Sequence, residues 1–204
     1  MNKMDEIIIV APREVVFNNE SLTFQGLTSE ESLIKEIVGN IDKSYSEMRR
    51  GDAEENEEFK QPIPYCVLKR GNEFYVYKRL TGGGEKRLHN QLSMGVGGHM
   101  NYFETDKFET LLLDNLQREL EEELNISCLT EEVDFNVIGL INDDINEVGK
   151  VHIGLLVVAE LPLDAQVEVR ETEQLEGFWV NANELRDIYA DLESWSQFVA
   201  DIYI

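Results

Sequence analysis

Apolar residues recur along this chain at two periods, and the switches between them mark out its elements. Positions 7–10 form a short apolar run and 14–17 read as a second strand, with Ala11-Pro12 breaking between them. Thr28-Ser29-Glu30-Glu31 reads as a capping box. Leu33, Ile34, Ile37, Ile41, Tyr45 and Met48 follow at helical spacing, which predicts a helix with one buried face. The charged stretch 49–61 contains Gly51 and reads as a connector. Segments 63–69 and 74–80 are rich in β-branched and aromatic residues, and Gly71-Asn72 between them predicts a hairpin. Three consecutive glycines make 81–85 a loop, after which 92–96 leads into Gly97-Gly98.

A helix is predicted next, with Asp106 as its N-cap and Leu112, Leu113, Leu116, Leu120 and Leu124 as its apolar stripe. Strands are predicted at 135–141, 152–161 and 177–180, and helices at 184–189 and 195–203. Strands gathered around one central helix, with further helices at the end, indicate α/β architecture with a mixed sheet between helices.

Composition narrows the function. The chain has 204 residues, enough for one domain with a sizeable core, and 41 acidic against 18 basic residues give it a net charge of −23. Such a surface is unsuited to gripping a nucleic acid backbone. Cys66 and Cys128 lack any CxxC or Cys/His spacing, which predicts reduced core thiols rather than a zinc site or a disulfide framework. Residues 1–13 carry Asp5 and Glu6 before only a few apolar residues, unlike a secretory leader, and no apolar stretch approaches the ~20 residues that span a bilayer. A soluble cytoplasmic protein without a membrane partner is expected.

The chemistry concentrates in Gly97-Gly98-His99 and in Arg118-Glu119-Leu120-Glu121-Glu122-Glu123-Leu124. Glu119, Glu122 and Glu123 occupy i, i+3 and i+4, so their side chains share one helix side and repel one another. A divalent cation reverses that penalty, and hard cations that take oxygen ligands often hold substrate phosphates as well.

These residues resemble the Nudix box, which runs glycine, five residues, glutamate, seven residues, then Arg-Glu-apolar-x-Glu-Glu-x-Gly-apolar. Gly98 is followed by five residues and Glu104, and Arg118 to Ile126 give the second half. Thirteen residues separate Glu104 from Arg118 where the pattern has seven, and Asn125 replaces the last glycine. Asn is the next best residue for a left-handed helix cap.

The resemblance covers roughly 62–189 and implies the α/β/α sandwich of Nudix hydrolases. The chain then reads as one domain over 1–204, with 1–61 an N-terminal extension packed on a 62–204 core. It implies Mg²⁺ or Mn²⁺, with Glu122, Glu123 and the Gly97 carbonyl as ligands. Glu119 is a ligand or the base that orients water, and Glu122 is placed with Glu119 in the catalytic set. Arg118 orients carboxylates, Gly98 shapes the turn, and Glu104 takes the family's early glutamate position. A further carboxylate beyond the box is expected, Glu173 first, with Glu171, Glu176, Asp143, Asp144 and Glu147 as alternatives. Arg79, Lys86 and Arg87 are candidate phosphate contacts, and Tyr102, Phe103 and Trp179 candidates for a ring-binding surface. The implied reaction is metal-dependent hydrolysis of a small-molecule diphosphate, a nucleoside diphosphate linked to another moiety. A homodimer is a candidate assembly. The alternatives on this fold are an isoprenoid diphosphate isomerase and a non-catalytic nucleotide or ligand sensor.

Overall fold

The computed structural model describes residues 2–79, 91–105, 107–127, 136–170 and 175–204, apart from the Arg79 and Leu175 side chains. The architecture is mixed α/β, a large mixed sheet with helices. The chain forms two compact units, one of Met1–Tyr65, Gly97–Leu116 and Val137–Leu156, the other of Cys66–Val96, Gln117–Asn136 and Val157–Ile204. Each is described by itself.

The first unit opens with β1 (Ile7–Pro12), α1 (Arg13–Val16), β2 (Gly26–Thr28), α2 (Glu31–Ser44), β3 (Ser46–Arg49) and α3 (Arg50–Ala53). It also holds the start of β4 (Phe59–Arg70), most of α4 (Phe108–Glu123), β9 (Val137–Asn142), α5 (Glu147–Val151) and the start of β10 (His152–Glu160). Its strands run in the order β4, β10, β9, β2, and β1 pairs antiparallel with both β3 and β4. Ile34, Ile37 and Ile41 of α2 pack with Phe17, Phe108, Leu111, Leu112, Leu140 and Ile153 in one core. Burying side chains of this size contributes about 1.5–3 kcal/mol each.

Three local expectations are corrected in this unit. Residues 14–17 lie in a helical turn rather than a strand: Pro12 presets the backbone at the N-cap, and Phe17 N–H closes on Arg13 O at 3.0 Å. Asn18, Asn19 and Glu20 then turn the chain through left-handed conformations, held where Arg13 grips the Glu20 carboxylate with two bonds of 2.9 Å. The capping box is absent. Glu30 is the N-cap of α2 and makes no side-chain cap bond, while Thr28 belongs to β2 opposite Leu140. The stretch 49–61 is not a connector, because it carries the end of β3, all of α3 and the start of β4. Its charges are drawn into ion pairs, Arg49 with Asp5 at 2.8 Å and Arg50 with Glu6 at 3.5 Å.

The second unit contains β5 (Glu73–Arg79), β6 (Leu92–Ser93), nearly all of β7 (Gly95–Gly97), β8 (Leu124–Ile126), β11 (Val167–Val169), β12 (Leu175–Asn181), α6 (Ala182–Asp187) and α7 (Ser194–Ala200). Here β5 lies between β12 and the end of β4, with β6 also on β5. The expected hairpin forms: Lys69 pairs with Phe74 and Arg70 with Glu73, and Gly71 takes the left-handed φ of 55° that the turn requires. Trp179 packs on Tyr75 with centroids 5.2 Å apart, and the Arg70 guanidinium lies 4.0 Å over its ring. Cys66 on β4 is completely buried, and burial pushes its thiol up to about 12. Cys128 and the glycine-rich loop at 81–85 lie outside the described residues.

Candidate functional site

Helix α4 forms because its leucines recur every turn: Leu112, Leu116, Leu120 and the following Leu124 are all buried. Leu111 joins the buried face in place of the expected Leu113, which is only half-buried. Asp106 lies outside the described residues, and Thr105 Oγ1 accepts the Lys107 N–H at 3.4 Å. Buried Asn115 fixes the preceding loop to the helix. Its Oδ1 accepts Asn101 N–H at 2.8 Å, and its Nδ2 donates to Asn101 O at 2.9 Å and Leu111 O at 2.8 Å.

Past Asn115 the polar edge of α4 carries the predicted carboxylates. Arg118 bridges to Glu119 at 2.8 Å and to Glu122 at 3.2 Å. The Glu119 side chain is 13% exposed and that of Glu122 58%, so the first is sheltered at the helix edge and the second stands in solvent. Glu123 is half-buried, with Oε2 shielded from water. The three carboxylates do not gather as a trio, because like charges spread and Arg118 draws two of them to itself. At the helix end, Arg170 N–H donates to Glu123 O and Arg170 Nε to Leu124 O, each at 2.8 Å, covering carbonyls that a helix leaves open. Asn125 is therefore no left-handed cap; it lies in β8, opposite Glu168 of β11.

In the first unit, Glu54, His99 and His152 converge. Among the described residues they are the one group of three His, Cys, Asp or Glu side chains whose ligand atoms all lie within 4.8 Å of one another. His99 Nε2 stands 3.3 Å from Glu54 Oε1 and 3.2 Å from His152 Nε2. His152 Nδ1 meets Val148 O at 2.6 Å; a carbonyl only accepts, so Nδ1 holds the proton and Nε2 presents a lone pair. The hydrogen bond from His99, reinforced by both imidazoles and Arg50, holds the Glu54 carboxyl at about 2 against the desolvation that opposes it. Burial, with His99 nearby, lowers His152 to about 4 and keeps it neutral at physiological pH.

The remaining candidates fall as follows. Gly97 and Gly98 belong to the first unit, and a Cβ on Gly97 would lie 2.2 Å from Pro64 O, so the close approach of β7 to β4 requires glycine there. Glu104 is exposed in the same unit, as are Tyr102 and Phe103. Asp144 is committed to structure: Arg13 bonds it at 2.8 and 2.9 Å and Lys60 at 2.8 Å. Burial alone would raise its pKa, but these bonds hold the carboxyl well below the usual carboxylate range. Lys60 is fully buried and also reaches Asn142 Oδ1 and the Gly149 and His152 carbonyls; burial brings it down to about 8. Asp143 accepts from Gln25 and Asn146, and Glu147 pairs with Lys150 at 2.9 Å. Glu176 is exposed on β12 opposite Lys78. Glu171, Glu173, Lys86, Arg87 and the Arg79 side chain lie outside the described residues.

Protein YmaB of Bacillus subtilis (strain 168) is 57% identical over 205 residues, covering 99% of each chain. The solved structure of Tm1382, a candidate Nudix hydrolase, matches with a TM-score of 0.78 and 29% identity over 97% of both chains. The chain has the fold of the Nudix hydrolases. A bifunctional NMN adenylyltransferase/ADP ribose pyrophosphatase from Francisella tularensis shares the fold over 70% of this chain and 40% of its own, with a TM-score of 0.50 and 14% identity. No family model matches. Against the Nudix box the chain carries the longer gap before Arg118 and Asn125 at the glycine position, two departures from that pattern.

The sequence alone does not single out Glu54, and it gives His99 no role beyond its place after the glycine pair. Glu54 sits in a run with Asp52, Glu55, Glu57 and Glu58 that reads as solvated charge. The usable signal is scarcity: the chain has three histidines, and one of them directly follows the glycine pair.

Proposed function

We propose that this protein hydrolyses the diphosphate bond of a nucleoside diphosphate linked to another moiety, using Mg²⁺ or Mn²⁺. The observation that carries the reading is the polar edge of α4, where Arg118 holds Glu119 and Glu122 beside the sheltered Glu123 in a chain of this fold. The donor set fits the ion: it is all carboxylate oxygen, two of its three members are partly withdrawn from solvent, and their charge calls for a cation. Glu119, Glu122 and Glu123 would hold it, and when bound it supplies positive charge against the diphosphate oxygens.

The rest follows from the chain's own groups. Glu119 is sheltered and held by Arg118, which suits it either to a ligand role or to accepting a proton from an attacking water. Arg118 fixes carboxylate orientation through charge-assisted bonds. Glu173 is proposed as the further carboxylate, and Arg79 and Arg87 as phosphate contacts. The isomerase alternative is disfavoured by Cys66, whose buried thiol, pushed up to about 12, is unsuited to proton exchange at neutral pH.

Incubating the purified protein with nucleoside diphosphate compounds plus Mg²⁺, Mn²⁺ or EDTA, with products identified by mass spectrometry, tests the reading. Cleavage that requires metal and leaves a nucleoside monophosphate is expected. Intact compounds across the panel, with the protein folded, would overturn it.

A further inference from the structure

The α4 carboxylates leave the Glu54, His99 and His152 cluster without a role, and its geometry suits a different class of ion. Its three ligand atoms are separated by 3.2 Å between the imidazoles, 3.3 Å from His99 to Glu54 and 4.0 Å from His152 to Glu54. A triangle with those sides has one in-plane point about 2.1 Å from every corner, which is the bond length of Zn²⁺ to imidazole nitrogen and carboxylate oxygen. Zn²⁺ prefers tetrahedral angles, so the His152 to Glu54 edge of 4.0 Å would close by a few tenths of an ångström as the ion binds just out of that plane.

Two further features prepare the cluster. Val148 O anchors His152 Nδ1, which turns the Nε2 lone pair to the shared point and fixes the ring as a carbonyl does for metal-bound histidines. The ligands come from rigid places: Glu54 caps α3, His152 starts β10 with its own carbonyl held by Lys60, and Asn115 clamps the loop just past His99. The His99 side chain is 14% exposed and that of Glu54 24%, so two of the three ligands meet solvent.

We propose that Glu54, His99 and His152 form a binding site for one transition-metal dication, Zn²⁺ foremost, with its remaining coordination positions open to water or a phosphate oxygen. Two imidazoles and one carboxylate are a donor set for Zn²⁺, Fe²⁺ or Co²⁺, whereas Mg²⁺ selects oxygen. All three ligands lie in the first unit, so the site is built without any residue from Arg118 to Glu123. Arg50, with Nε 3.5 Å from the same Glu54 oxygen, is the neighbouring cation that moderates its affinity. Because His99 adjoins Gly98, a bound ion would also pin the glycine turn.

The full-length protein, stripped with EDTA and desalted, would be titrated with Zn²⁺ against a chromogenic chelator, and with Co²⁺ while its visible absorption is recorded. One equivalent of Zn²⁺ is expected to bind in the presence of excess Mg²⁺, with a visible Co²⁺ band that Zn²⁺ abolishes. Glu54→Gln, which keeps side-chain size, and His99→Gln should each weaken Zn²⁺ binding at least about tenfold. Glu122→Gln should leave it unchanged, which separates this site from the α4 carboxylates. Wild-type protein that holds Zn²⁺ no better than Mg²⁺ would overturn the proposal, as would undiminished binding in folded Glu54→Gln. The readout is binding alone, so its outcome is independent of whether any diphosphate is cleaved.

Discussion

At the residue scale, the decisive feature is how few charges this very acidic chain buries and how fully those are answered. Lys60 is 0% exposed and gives its ammonium to Asp144, Asn142 and two carbonyls, while Arg13 holds Asp144 from the other side. Asp144→Asn leaves two cations facing a neutral amide and should cost about 3 kcal/mol in urea denaturation. Lys60→Met should cost less, because methionine fills the space and Asp144 keeps Arg13; equal losses would show that packing rather than charge governs the site. His152 sets the acid response. Its folded pKa of about 4 lies below the ordinary 6.5, so between those values the unfolded chain binds the proton that the folded chain refuses. Stability is therefore level above 6.5 and falls as pH drops towards 4, by up to about 3 kcal/mol. Glu54 extends the fall in the same direction, from 4.5 down to about 2. Urea midpoints that stay constant between about pH 7 and about pH 4.5 would contradict this assignment.

At the element scale, the proposed function rests on α4 and the glycine turn before it. Glu119→Gln and Glu122→Gln should each lower turnover at least about 100-fold while changing stability by no more than about 0.5 kcal/mol, since each removes repulsion along with a bond to Arg118. Wild-type rates in both would remove the proposed role of the helix edge. Gly97→Ala tests the turn itself: with Pro64 O only 2.2 Å from the new carbon, β7 must move away from β4, and a loss of about 2 kcal/mol or more in thermal or urea unfolding is expected. Much of α4 was legible because helical spacing is local, and leucines a turn apart declare their common face without any knowledge of the partner. The hairpin at Gly71 was legible for the same reason. Residues 14–17 were misread because four residues are too few to separate a period of two from one of 3.6, and Pro12 decided the matter. Asn125 was misassigned because Arg170, distant in sequence, already covers the helix end. Glu54, His99 and His152 are invisible to any spacing rule, since dozens of residues separate each from the next and only the folded strands bring them together.

At the scale of the whole molecule, likeness to Tm1382 runs over 97% of the chain, so it takes in most of the first sixty residues as well as the part that holds the box. Among the described residues no helix is long and apolar enough to cross a membrane. Both units place their apolar side chains in buried clusters and leave the acidic excess outside, which suits a protein carrying a net charge of −23. Cys66 belongs to the interior so completely that its sulfur meets solvent only when β4 comes apart. In a Cys128→Ser background, then, the thiol is a stopwatch. The waiting time before an alkylating reagent captures Cys66 should match the interval between openings of the sheet, lengthening with every stabilising change and shortening with Asp144→Asn. Capture as fast as that of a free thiol in the native protein would show that β4 opens far more often than its burial implies.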